Sequence, residues 1–510
     1  MRDSPMSPPP TSAFIGAFLA VGMRWVDRLV GVLGTLVLAR LLSPDDFGLV
    51  AMATVVVGLF EVLVDLGVGP ALIQKDGADA EDFHTAWTLR LGQSLLAAFV
   101  ITACAPWVAS HYHDGRIVAV LQALAVAVGV AGFENIGTVS FQRNMEFGRD
   151  FRFFCWKSVI TFAITVAMAL ALRSCWALVL GILASRLAGV GLSYAVSDFR
   201  PRLSLARFAG LWGFSQWSLV TGVGRYLYGA MGRFVIGVRF GADALGRYTI
   251  GEQIAFLPTS ELLAPLGRVM FPVFSSARHE PGKLLQVVML AQAVQALVAV
   301  PASVGVALVA GDAIPLLLGE QWRSAVPVAR IIALAGVVLA LTHSIGYMFM
   351  AMGRIRTLCA FIWARLILLV LLLAWAFPGA DMVEVAIAYL VTALVSFMAL
   401  QAIAGRVLPG FGVVEMFRHA SRPLVSAAVM SLVVIAVGRG LAASAASLRL
   451  VVEVGIGAGI YVLAVLLLWR NAGSPAGAER YLLTRFMRRR GGAGGGGSAG
   501  GGIDPPGRAP

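Results

Sequence analysis

The chain consists of apolar stretches, each long enough to cross a bilayer, separated by only short polar connections. About 20 mostly apolar residues span the ~30 Å hydrocarbon core as a helix. A helix also satisfies its own backbone hydrogen bonds there, which an isolated strand or loop does not. Pro, Gly and charge clusters divide the 510 residues into fourteen such segments: 15–41, 47–73, 85–109, 117–140, 153–172, 175–197, 208–237, 245–275, 284–310, 325–352, 355–377, 382–408, 421–441 and 448–469. Hydrophobic residues make up 59% of the chain and charged residues 13%, against ~25% charged in a soluble domain. A soluble fold of this composition would lack the polar surface that water requires. The expected fold class is an all-α integral membrane protein with about 14 transmembrane helices.

The net charge of +13 would suggest nucleic acid in a soluble chain. Here basic loops that hold the topology against the cytoplasmic face account for it, and no nucleic-acid partner is expected. With the N-terminus in the cytoplasm, the inward connections carry fifteen Lys and Arg and the outward ones eight. The connection after the fourth segment contributes Arg143, Arg149, Arg152 and Lys157. An even number of spans then leaves both termini cytoplasmic. The start, Met1–Thr11, is polar and Pro-rich and leads into a long span, unlike a cleavable signal peptide. The Arg488–Arg490 run suits anionic headgroups, and the Gly-rich tail beyond it is expected to be disordered. Cys104, Cys155, Cys175 and Cys359 lie scattered in apolar runs without metal-ligand or disulfide spacing.

An internal repeat divides the chain. SPDDFGLV (Ser43–Val50) follows the first segment and GADALGRY (Gly241–Tyr248) the seventh, aligning Asp45 with Asp243 and Gly48 with Gly246. The offset is 198 residues, or six spans, so the two copies share one topology and form a parallel repeat. Each Asp is expected to cap the helix that follows, and each Gly to permit a tight entry. The expected organisation is a disordered 1–14, a six-span lobe over 15–207, a second over 208–408, a two-span extension over 409–470, and a basic, Gly-rich tail over 471–510. Paired six-helix lobes are an architecture of transporters, with the path between the lobes.

Within this frame, LARLLSPDDFGLVAMATVVVGLFEVLVDLGVGPALIQ (Leu38–Gln74) closely resembles the start of the oligosaccharide flippases. These form the polysaccharide-export branch of the multidrug/oligosaccharidyl-lipid/polysaccharide exporter superfamily. IGVRFGADALGRYTIGEQIAFLP (Ile236–Pro258), FPVFSSARHEPGKL (Phe271–Leu284) and GEQWRSAVPVARIIALAG (Gly319–Gly336) are similar to later parts of the family, so the resemblance covers about Val21 to Leu408. It implies a transporter of the bacterial inner membrane rather than an enzyme. The implied cargo is an oligosaccharide repeat unit on undecaprenyl pyrophosphate, moved from the cytoplasmic to the periplasmic leaflet for exopolysaccharide, capsule or O-antigen (lipopolysaccharide) assembly. Membrane lipids and a polysaccharide polymerase are the implied partners. The chain departs from the family pattern in its seventh span, where Gly229, Gly232 and Arg233 replace an Asn/Asp-rich stretch.

Charges inside spans are costly and usually face the bundle interior. Arg24 and Arg28 in the first span are one turn apart, with Asp27 between them, and Arg225 and Arg233 lie on nearly one face of the seventh. As a cationic cavity wall they would hold a pyrophosphate; the plainer alternative is snorkelling and topology. Glu61 and Asp65 in the second span, and Glu252 and Glu261 in the eighth with Arg268 beyond, are candidate counter-charges or a site coupling transport to H⁺ or Na⁺. Salt bridges to the arginines would explain them equally well. Glu134 and Arg365 are further candidates for the cavity or for pairing, and His343 is expected to be an enclosed, hydrogen-bonded histidine. No Walker loop, HExxH or large exposed catalytic loop is present, and no catalytic residue, metal site or cofactor is expected. The alternatives are a multidrug or cation antiporter, which needs an acidic cavity, a lipid II flippase, and a membrane enzyme of glycan assembly.

Overall fold

A computed structural model describes residues 10–64, 72, 77, 79–144, 146–208, 216–376, 379, 381–474 and 477–480. Among them a helix stands at each of the fourteen expected positions. In chain order these are α1 (Pro10–Leu41), α2 (Pro44–Val64), α3 (Ala80–Tyr112), α4 (Arg116–Ala131), α5 (Phe147–Leu172) and α6 (Trp176–Val196). One long helix, Gln216–Ala277, breaks at Gly241 (φ 78°, ψ −170°) into α7 (216–240) and α8 (242–277). Then come α9 (Pro281–Leu318), α10 (Val326–Ala351), α11 (Ile355–Leu371), α12 (Met382–Val407), α13 (Val413–Gly440) and α14 (Ala446–Asn471). Ten of the helices are long and apolar enough to cross a membrane. The expected termini beyond these bounds, and Asp65 and Lys75, lie outside the described residues.

The helix starts follow local chemistry. Asp79 and Asp82 form a capping box at α3, and Asp381 and Glu384 form another at α12. At α2 the cap is Ser43 with Asp46: the Asp46 amide donates to Ser43 Oγ at 3.2 Å and the Ser43 amide to Asp46 Oδ2 at 3.1 Å. The two repeat aspartates, expected as caps, instead form ion pairs. Asp45 meets Arg116 at 2.7 Å, and Asp243 meets Arg247 one turn on at 2.7 Å. The fourth span, expected over 117–140, stops short. It ends at Ala131, and beyond it buried Asn135 caps a short 3₁₀ turn (Ile136–Thr138), accepting from the Gly137 amide at 2.9 Å and donating to the Phe199 carbonyl at 2.7 Å, before a short helix, Val139–Arg143.

Within the first six helices, α1 packs on α5, α5 on α6, α6 on α4, and α4 on α3 and α2. Among the next six, α8 and α7 pack with α10 and α11, α9 with α10, and α10 with α12. The α13–α14 pair lies against α9. Arg449 of α14 grips Asp312 of α9 with Nε 2.6 Å from Oδ2, and Tyr461 donates to the Leu297 carbonyl at 2.9 Å.

The two halves meet most extensively where α2 packs on α7 and α8. Lipid tails are as apolar as a leucine side chain, so helices in a bilayer gain little from hydrophobic burial and associate through close packing and polar contacts. Both devices operate at the turns that carry the repeat. A Cβ on Gly48 would overlap the Ala242 carbonyl, and one on Gly246 would overlap the Pro44 carbonyl. The two repeat glycines therefore serve each other's backbone rather than the entry of their own helices. Beside them the helix ends cap one another across the halves. Arg40 at the end of α1 donates to the Leu317 and Leu316 carbonyls at the end of α9, at 2.9 and 2.6 Å. In return Trp322 Nε1 and Gln321 Nε2 donate to the Ala39 carbonyl, at 2.8 and 2.7 Å. Trp322 is fully buried and meets the Phe47 ring edge-on at 5.3 Å.

Gly246→Ala should part these turns, because the Pro44 carbonyl has no room to yield within a helix start. A disulfide engineered across the turns should then form markedly more slowly than in the parent. Gly229→Ala, which meets nothing within 4 Å, should leave it unchanged; equal cross-linking in both variants would contradict the close backbone contact.

Candidate functional site

The wall contributed by the second half is built on α7. Arg225 and Arg233 stand two turns apart on it, but only one is neutralised. Arg233 Nε lies 3.5 Å from Glu252 Oε2 on α8, both side chains largely buried, and its Nη2 donates to the Gly229 carbonyl at 3.3 Å. Arg225 is exposed and makes no ion pair among the described residues. Between them Tyr226 Oη donates to the Val55 carbonyl of α2 at 2.6 Å, which sets this stretch of α7 against the first half.

Deeper in the same wall, Arg365 of α11 lies flat over the Tyr228 ring, 3.8 Å from its centroid, and donates from Nη2 to Tyr228 Oη at 2.8 Å. Tyr228 packs against Tyr389 of α12 at 5.0 Å, and Tyr389 meets Phe256 of α8 edge-on at 6.3 Å. A guanidinium needs a π-face, a carboxylate or water when it leaves bulk solvent. Here an aromatic stack spanning α7, α8, α11 and α12 holds it with no carboxylate. His343 of α10 has solvent access to its side chain.

In the first half Glu61 and Glu134 are already committed. Glu61 of α2, open in sequence to ion coupling or to pairing with the arginines of α1 or α7, meets Arg186 of α6 at 3.0 Å. Glu134 meets Arg90 of α3 at 2.9 Å and Lys157 of α5 at 3.7 Å. Lys157, counted with the basic residues of a cytoplasmic connection although the expected span 153–172 already includes it, lies well inside α5, which begins at Phe147. Arg28 is half-buried on α1. Arg24, Asp27, Glu261 and Arg268 lie on α1 and α8, but their side chains are outside the described residues.

Arg186 and Arg90 are charges in apolar runs and were open to the rule that singled out the others. Tyr228 and Tyr389 carried no such signal, since an aromatic in a span reads as core.

The polysaccharide biosynthesis protein family matches residues 37–327. The succinoglycan biosynthesis transport protein ExoT of Rhizobium meliloti (strain 1021) is 26% identical over 447 residues, 85% of this chain and 89% of ExoT. The lipopolysaccharide biosynthesis protein WzxC of Escherichia coli (strain K12) is 23% identical over 330 residues, 64% of this chain and 67% of WzxC. Among solved structures, the lipid II flippase MurJ in its inward closed conformation has the same fold, with a TM-score of 0.71 over 89% of this chain and 99% of MurJ at 11% identity.

Glu252→Gln would leave Arg233 buried beside a neutral amide, at a cost of about 3 kcal/mol. Thermal unfolding of the purified protein should drop accordingly, and Arg233→Met in the same chain should recover most of the loss. A double variant no more stable than Glu252→Gln alone would show that the pair does not act as a unit.

Proposed function

This chain belongs to the polysaccharide biosynthesis protein family, and from that premise we propose that it is a flippase for lipid-linked oligosaccharides. The cargo is an oligosaccharide repeat unit on undecaprenyl pyrophosphate, carried from the cytoplasmic to the periplasmic leaflet of the inner membrane for surface-polysaccharide assembly. Both termini face the cytoplasm, as the bias of basic residues requires. The turns around Gly48 and Gly246 then lie on the periplasmic side.

The observation that carries this reading is the charge imbalance between the walls. Glu61, Glu134 and Glu252 each answer a cation already, while Arg225 and Arg365 have no carboxylate partner among the described residues. An unneutralised guanidinium within a bundle favours an anionic guest, and its planar fork suits the oxygens of a pyrophosphate. A carrier of organic cations would need the reverse polarity. Arg225, with Arg24 and Arg28 of α1, holds the pyrophosphate; Arg233 is a fixed partner of Glu252 and sets the potential without reaching cargo. The isoprenoid tail stays in the bilayer. The halves rock about the cavity in alternating access, reset by the membrane potential or by an H⁺ or Na⁺ gradient.

Replacement of Arg24, Arg28 and Arg225 together by Gln should abolish translocation of a fluorescent lipid-linked oligosaccharide in proteoliposomes, with the protein still folded. Arg233→Met paired with Glu252→Gln should retain most of it. Undiminished translocation by the triple variant would remove these arginines from the cargo path.

A further inference from the structure

A recess of about 340 Å³ opens between α1 and α5 and is closed on one side by α6. Its volume is at the small end of the ~300–1,000 Å³ range of small-molecule sites. Its lining is unusual for a space within a helical bundle in lipid. Thr35 of α1, Ser158, Thr161 and Thr165 of α5, and Ser185 of α6 line it with hydroxyl-bearing side chains, of which Thr35 and Thr165 donate to the Gly31 and Thr161 carbonyls at 3.0 and 2.7 Å and keep acceptor lone pairs, and Lys157 brings the one charge. On α1 the space is kept by glycines: a Cβ on Gly31 would meet nothing within 4 Å, and one on Gly34 would touch the Phe162 ring at 3.7 Å.

The recess borders the path between the halves. Gln253 of α8 donates to Thr35 Oγ1 at 3.3 Å, so the second half reaches the same stretch of α1. On the other side Ser185 precedes Arg186, which crosses to Glu61 of α2. Two details mark the recess as unsaturated. Thr161 Oγ1 has no hydrogen-bond partner among the described residues, and a buried polar atom left so is costly. Lys157 also lies at 3.7 Å from Glu134, while Arg90 approaches the same carboxylate to 2.9 Å. Two cations share one carboxylate, which leaves one positive charge in excess beside the hydroxyls.

We infer that this recess reads the sugar end of the cargo and favours a glycosyl residue bearing a carboxylate or phosphate. The inference rests on the flippase reading and deepens it. Clustered hydroxyls exchange hydrogen bonds with sugar hydroxyls, and sites built to pair with a substrate's hydroxyl groups discriminate strongly against ligands that lack them. The Lys157 ammonium adds a charge-assisted bond to the acidic group. The pyrophosphate belongs to the arginines around Arg225, so the two walls divide the head group between its anionic link and its sugar.

The test uses the full-length protein in nanodiscs and three probes: undecaprenyl pyrophosphate alone, the same lipid carrying galactose, and the same lipid carrying glucuronic acid. The glucuronyl lipid should bind about tenfold tighter than the galactosyl lipid. Lys157→Met should erase that preference without weakening the bare lipid, and Lys157→Arg should restore much of it, which separates charge from folding. Thr161→Val should weaken both sugar-bearing lipids severalfold and spare the bare one. Equal binding of the two sugar-bearing lipids by the parent protein overturns the inference but leaves the carrier reading intact. So does a Lys157→Met variant that loses the bare lipid equally. Binding of none of the three would overturn both.

Discussion

Two backbone turns in contact, with no side chain between them, hold this molecule together. Because Gly48 and Gly246 each accept the other turn's carbonyl, α2 is fixed in register against α7 and α8, and the buried residues of that seam follow. Leu49, Met52 and Ala53 of α2 enter one core with Ile236 and Leu245 of the second half. Arg40, Gln321 and Trp322 then consume helix-end carbonyls that lipid could not satisfy. The seal is dry, short-ranged and made of backbone, so its geometry tolerates little intermediate separation. An interface of that kind has two states rather than a continuum, which suits the rocking proposed for the two halves.

The charges inside the bundle obey a second economy. Glu61, Glu134 and Glu252 have each found a cation, at distances from 2.9 to 3.7 Å. The cations outnumber them, and the surplus is held by means other than a counter-ion: an aromatic ring under Arg365 and exposure for Arg225. The stack from Tyr228 through Tyr389 to Phe256 gives the second half a preorganised positive wall that does not collapse onto a carboxylate when the cavity is empty. That is the condition for an anion to be bound by exchange of water alone, without first breaking a salt bridge.

Sequence alone made the helical architecture legible, because in lipid the backbone leaves no alternative and apolar length is a direct signal. The repeat was legible too, through Asp45/Asp243 and Gly48/Gly246, but its purpose was not. Residues 198 apart that pack on each other look, in sequence, like two separate helix entries, and the aspartates read as caps until Arg116 and Arg247 are seen beside them. The site was legible only as a set of charges. Which charges pair depends on helix rotation: Lys157 falls inside the expected fifth span, yet only the packing of α5 brings it to Glu134. Asn135, beyond the end of α4 at Ala131, caps a short 3₁₀ turn through bonds to Gly137 and Phe199 that no apolar window reports. Tyr228 and Tyr389 were hidden for the opposite reason: apolar windows count them only as bulk.

The two halves are alike at the seal and unlike at the walls, and the difference follows from what each place has to do. The seal needs the same backbone geometry twice, so both copies retain a glycine at the equivalent position and a tight turn before it. The walls face one asymmetric guest. In the first half the basic partner of an α2 carboxylate is reached across the bundle, from Glu61 to Arg186 of α6; in the second the partner of an α8 carboxylate lies on the adjacent helix, from Glu252 to Arg233 of α7. The hydroxyls gather beside α1 and α5, and the aromatic rings beside α7 and α12. A lipid-linked sugar has a multiply charged link at one end of its head and hydroxyl-rich rings at the other. On the proposed carrier reading, two unlike walls suit the two ends of such a head group better than two identical ones would.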